Sequence, residues 1–86
     1  EQIKIACNPK DFLYVVPHRY DAAKAGPLSV YFRSREDCRN KRVELRVNGE
    51  KAKAKKYMRL LPSEMEVLSF QEPSSIVKEI ELILGD

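Results

Sequence analysis

The sequence predicts an all-β fold, a two-sheet sandwich of about seven strands, on three observations. Apolar and polar residues alternate with a period of two around Ile3–Cys7, Leu28–Arg33, Arg42–Val47 and Glu79–Leu84, the mark of strands buried on one face. Turn-forming residues recur at short intervals between these stretches. No segment keeps a helical period for more than about one turn.

Taken in order, Ile3-Lys4-Ile5-Ala6-Cys7 reads as a first strand with Ile3, Ile5 and Cys7 facing inward. Asn8-Pro9-Lys10-Asp11 is a turn, because proline presets φ and the flanking Asn and Asp bond their own backbone. Phe12-Leu13-Tyr14-Val15-Val16 is a continuous apolar, β-rich run, expected to be buried on most of both sides. Pro17 ends it or sets it at an edge. His18 to Pro27 is expected to be a polar connection, in which Asp21-Ala22-Ala23-Lys24 has room for one helical turn before Gly26-Pro27 stops it. Leu28, Val30 and Phe32 then alternate with Ser29, Tyr31 and Arg33, giving a third strand. Ser34 to Lys41 is expected to be a charged loop.

The firmest element is a hairpin. Val43, Leu45 and Val47 alternate with Arg42, Glu44 and Arg46, and Asn48-Gly49 follows at once. Both turn residues tolerate the positive φ of a two-residue type I′ turn. That turn sets Val47 against Glu50, Arg46 against Lys51, Leu45 against Ala52, Glu44 against Lys53 and Val43 against Ala54. Continuing the same parity places Lys56 in the core, so a bulge near Lys55-Lys56, or a strand that changes sheets, is expected. Arg59-Leu60-Leu61 leads into Pro62-Ser63-Glu64, a turn. In Met65–Phe70, Met65 and Val67 share one face of a strand, with Leu68 and Phe70 on the other. Gln71 to Ser75 is a loop in which Ser74 or Ser75 is placed to cap a turn of helix, and a last strand runs from about Val77 to Leu84.

Eighty-six residues make one domain, 1–86, with room for a single modest core. A hydrophobic content of 43% beside 34% charged residues suits a globular chain and not a disordered one. No apolar run reaches the length of a membrane span. Lys4, Asn8, Pro9 and Lys10 break any signal-peptide pattern. The chain begins with Glu1 in place of Met, which points to a piece of something longer. Sixteen Lys+Arg against thirteen Asp+Glu leave a charge of +3, thinner than the footprint nucleic acid usually leaves, so nucleic acid is not the expected partner. Cys7 and Cys38 are too few for a disulfide framework and read as reduced thiols of a cytoplasmic protein, the alternative being a secreted domain with one bridge.

Little in the chain points to chemistry. His18 is the only histidine, and His18-Arg19-Tyr20-Asp21 matches no ligand or triad spacing. Cys38 has Arg35 and Arg39 close by, cations able to lower its thiol pKa, but neither cysteine belongs to a CxxC pair and both read as bystander thiols. Gly26, Gly49 and Gly85 stand too far apart for a phosphate loop. The most suggestive surface is cationic: Lys51, Lys53 and Lys55 on one side of a strand, with Arg42 and Arg46 on its neighbour. It suits an anionic partner, or it is the solvated side of an edge hairpin whose lysines discourage aggregation.

Two resemblances add to this reading. The strand LSVYFRS, the strand VELRVNGE and then RLLPSEMEVLSF resemble immunoglobulin-like and fibronectin-like sandwiches of bacteria, with Ser63 standing where glycine is usual; this likeness implies a scaffold only. Nearly the whole chain, through IKIACNPKDFLYVVPHRY, VYFR, RVELRV and RLLPSEME, resembles the C-terminal β-sandwich of bacterial FAD/NAD(P)-dependent oxidoreductases of the pyridine nucleotide-disulfide family. That resemblance implies a non-catalytic accessory or assembly domain, excised from the C-terminal part of its parent. It packs on the parent's catalytic domains or on a second subunit. FAD and NAD(P) belong to the parent, and no catalytic, cofactor-binding or metal residue is carried onto this chain. The rival expectations are a stand-alone adhesive or carbohydrate-binding module of an envelope protein, and a weak binder of anionic surfaces through the lysine hairpin.

Overall fold

In a computed structural model, which describes residues 2–21, 27–71 and 77–86, the chain is all-β and forms two sheets. The described residues hold eight strands against the seven expected: β1 (Gln2–Cys7), β2 (Phe12–Val16), β3 (Arg19–Asp21), β4 (Leu28–Ser34), β5 (Cys38–Val47), β6 (Glu50–Leu60), β7 (Glu66–Phe70) and β8 (Ile80–Gly85). The larger sheet has the order β3-β1-β8-β5-β6 and the smaller β2-β4-β7. All neighbours are antiparallel except β1 and β8, which run parallel.

The core lies between the sheets and follows the predicted alternation. Ile3 and Ile5 of β1, Val43, Leu45 and Val47 of β5, and Ile80 and Leu82 of β8 are buried from the larger sheet. Phe12, Val15, Leu28, Val30, Phe32 and Leu68 meet them from the smaller. Phe32 sits at the junction, edge-on to Phe12 at 5.5 Å and to Tyr57 of β6 at 5.8 Å, a geometry that aromatic quadrupoles favour.

Both turns predicted outside the hairpin form. The amides of Asp11 and Phe12 donate to the Asn8 carbonyl, and the Asn8 side chain accepts from the Lys10 amide. Arg35 ties this turn to the end of β4 through its amide to the Asp11 carbonyl and its Nε to the Pro9 carbonyl. The Glu64 amide donates to the Leu61 carbonyl. β2 ends at Val16, before a cis Val16–Pro17 bond.

Several expectations are corrected. The connection after Pro17 contains β3, which pairs with β1; three residues, Arg-Tyr-Asp, carry too little pattern to announce a strand. The possible helical turn at Asp21–Lys24 and the caps at Ser74 or Ser75 fall wholly or partly outside the described residues. Ser34–Lys41 is not all loop, because β5 begins at Cys38, and the last strand begins at Ile80, not Val77. β2 is buried on one side only. Its register against β4 shifts between Phe12 and Tyr14, so Phe12 and Val15 turn inward while Leu13 and Val16 stay exposed.

The hairpin turn is as expected: Asn48 and Gly49 have φ of 55° and 81°, and Val47 faces Glu50 and Arg46 faces Lys51. Beyond that the register shifts, leaving Ala52 as the extra residue of a bulge, so Leu45 faces Lys53, Glu44 faces Ala54 and Val43 faces Lys55. The bulge lies three residues earlier than the sequence suggests. The conflict at Lys56 disappears, because Ala54 and Lys56 share the outer face with Glu44 and Arg42.

Asn48 also anchors the turn to the segment entering β8. Its Oδ1 accepts from the amides of Lys78 (2.7 Å) and Glu79 (3.1 Å), and its amide donates to the Glu79 carbonyl (2.9 Å). Asn48→Ala is therefore expected to cost about 1.5 kcal/mol in urea unfolding, from lost hydrogen bonds and a positive φ that alanine resists. Asn48→Gly, which keeps the φ, should lose less.

Candidate interaction surface

The cationic residues picked out from the sequence, Arg42, Arg46, Lys51, Lys53 and Lys55, do not form one face. Arg42, Arg46 and Lys51 project from the outer face of the larger sheet, in register with Gly85 and Glu81 of β8. The bulge at Ala52 turns Lys53 and Lys55 to the inner face, opposite Leu45 and Val43. Both lysines are nevertheless exposed. β6 is the margin of a five-stranded sheet, and the three-stranded sheet beneath does not cover this part of it. Only further along does β6 enter the core, at Tyr57, whose ring lies 5.1 Å from the Lys55 ammonium and whose hydroxyl donates to the Val67 carbonyl. Arg46 donates to Glu44 on the same strand, which offsets its like-charged neighbour Lys51.

A second surface was not picked out from the sequence. Among the described residues six large hydrophobic side chains are exposed, and five of them, Leu13, Val16, Tyr31, Met65 and Val67, belong to the smaller sheet or its immediate flank. Strand register explains how they gather. Val16 faces Tyr31 and Tyr31 faces Val67, so three residues that are each about 40% exposed form a row across β2, β4 and β7, roughly 10 Å wide. Polar groups flank the row on both sides along the strand direction. On one side the Ser29 and Ser69 hydroxyls are hydrogen-bonded at 2.8 Å. On the other the Arg33 guanidinium lies 5.5 Å from the centre of the Tyr14 ring. An apolar centre with a polar rim is the anatomy of a protein interface. The sequence signal for it was two-sidedness: Phe12–Val16 and Met65–Phe70 are apolar on both faces, and only one can face the core.

The remaining candidates offer no constellation. His18 is exposed, and its carbonyl accepts from the Ile5 amide at 2.8 Å. The thiols of Cys7 and Cys38 are both free. Burial pushes both thiols above the usual range, opposed by Lys4 at Cys7 and by Lys41 at Cys38. The neighbouring arginines do not lower Cys38: Arg35 turns to the Pro9 carbonyl, and the Cys38 thiol donates to the Glu36 carbonyl. Among the described residues no three His, Cys, Asp or Glu side chains gather as metal ligands would, and no helix is long and apolar enough to cross a membrane. Comparison of the chain with protein-family models, curated proteins and solved structures returns no match.

Proposed function

We propose that this chain is a non-catalytic accessory domain of a flavin- and nicotinamide-dependent oxidoreductase, and that it docks on the parent's catalytic part through the outer face of β2-β4-β7. The observation that carries the docking role is the apolar row Val16–Tyr31–Val67 with its polar rim. An exposed apolar patch of this kind stays in water at a cost that a partner removes. The identity of the parent rests on the resemblance of the strand phrases, and on that reading the protein works in the cytoplasm with both thiols reduced.

The fold belonging to this reading is an immunoglobulin- or fibronectin-like sandwich. The strand order supports it: β2, β4 and β7 correspond to strands A, B and E, and β5 and β8 to C and F. The hairpin partner β6 corresponds to a C′ strand. β1 departs from that pattern, taking the place beside F but running parallel to it.

Produced alone, the chain is expected to purify colourless and to bind neither FAD nor NAD(P)H; a yellow chain overturns the reading. Produced with the upstream part of its reading frame, Tyr31→Asp combined with Val67→Asp is expected to speed limited proteolysis between the domains at least tenfold. Circular dichroism of the isolated variant should match that of the parent sequence. Unchanged proteolysis removes the docking face from the proposal.

A further inference from the structure

The β6 margin of the larger sheet carries an arrangement that neither the core nor the docking face explains. Among the described residues β6 pairs with β5 alone, so from Glu50 to Lys56 its outer edge presents free amide and carbonyl groups. Cations flank that edge on both sides of the sheet. Lys51 and Lys56 stand on the outer face, Lys53 and Lys55 on the inner, and Arg42 and Arg46 reinforce the outer set from β5. Arg42, Lys51, Lys53 and Lys56 have no ion-pair partner among the described residues.

Edge protection against aggregation accounts for lysines along a free strand, but the pairing across the hairpin adds a cost of its own. Three cross-strand pairs in the hairpin set like charges opposite one another: Arg46 with Lys51, Arg42 with Lys56 and Arg39 with Arg59. Such pairs are destabilising. Arg46 is relieved by Glu44 and Arg59 by Asp37, whereas Arg42 and Lys56 face each other with no acidic partner among the described residues. Across the whole chain cations outnumber acids only sixteen to thirteen, so the clustering is local.

We infer that the open edge of β6 accepts an acidic, extended polypeptide segment as an added strand. Its main chain would continue the ladder beyond β6, and successive carboxylates, alternating above and below the sheet, would meet Lys51 and Lys56 on one face and Lys53 and Lys55 on the other. Cations on both faces of a free strand edge suit a polypeptide strand better than a nucleic acid, and no aromatic platform for bases interleaves with them. This site lies on the other sheet from the proposed docking face and does not depend on it.

The test uses the 86-residue chain and an acidic peptide of about ten residues built on Glu-Glu-Val repeats. Controls are the same peptide with alternate amides N-methylated and a single-stranded oligonucleotide of equal charge. Binding is followed by fluorescence anisotropy and by amide shifts in nuclear magnetic resonance spectra. The peptide should bind at low salt, with shifts concentrated over Glu50–Lys56. N-methylation should weaken it at least tenfold, because it blocks the ladder while leaving the charge. Lys53→Glu with Lys55→Glu should also weaken it at least tenfold with unchanged circular dichroism. Equal binding of the N-methylated peptide, tighter binding of the oligonucleotide, or no binding of the peptide at low salt would each overturn the inference.

Discussion

Phe32→Ala is expected to destabilise the chain by about 3–5 kcal/mol, as large aromatic deletions in well-packed cores do. Phe32 is fully buried in β4, the central strand of the smaller sheet. Its ring touches Phe12 on its own sheet and Tyr57 on the other, so truncation opens a void between the layers that neither strand ladder can close. A domain of this size has roughly 4–13 kcal/mol of stability in total, and the loss consumes a large share of it. Thermal unfolding should shift down by at least about 12 °C, on the scale of roughly 4–8 °C per kcal/mol for small domains. The neighbouring Tyr31→Ala, on the opposite face of the same strand, should cost only about 1 kcal/mol, because much of that ring is already in water. Equal losses at the two positions would contradict the inside–outside assignment of β4.

Stability should fall between pH 10 and 12 through Tyr57. Burial of its hydroxyl, with a smaller contribution from the nearby negative charge of Glu66, raises the phenol from 10.0 to about 12. Below pH 10 the phenol is neutral in both folded and unfolded chains, and its contribution is fully present. Between the two values the unfolded chain releases the proton while the folded chain holds it, so stability declines as pH rises through about 12. Two pKa units correspond to roughly 2.7 kcal/mol, reduced to about 2 kcal/mol by residual solvent screening. Denaturant titrations at successive alkaline pH values, read beside tyrosinate absorbance, measure this decline. Tyr57→Phe loses the hydrogen bond to the Val67 carbonyl, about 1 kcal/mol at neutral pH, but should flatten the alkaline decline. A Tyr57→Phe variant with the same alkaline slope would assign the effect elsewhere.

The hairpin shows where sequence reasoning stops. Asn48-Gly49 identifies the turn and the first two pairs, since both depend on local backbone preference. The third pair depends on what lies beneath the strand. Without a bulge, Ala52 and Ala54 would face the core and Lys53 the solvent. With it, β6 follows the curvature of a sheet margin and leaves its inward lysines in water. No local pattern reports that the opposing sheet has only three strands. A similar reason hides the docking face: Phe12–Val16 is apolar on both sides, and which side is buried becomes evident only once the larger sheet is seen to pack on one face of β2-β4-β7.

By itself the sequence determined the all-β class, two turn-anchored connections, the Asn-Gly hairpin and most of the buried residues. Each follows from side-chain periodicity and backbone propensity over a few neighbouring positions. Tertiary structure alone decided that β1 runs parallel to β8, that Ala52 bulges, and that Val16, Tyr31 and Val67 form one exposed row. Those outcomes join residues far apart in the chain, where pairing is selected by the shared burial of two unequal sheets and no short-range preference acts.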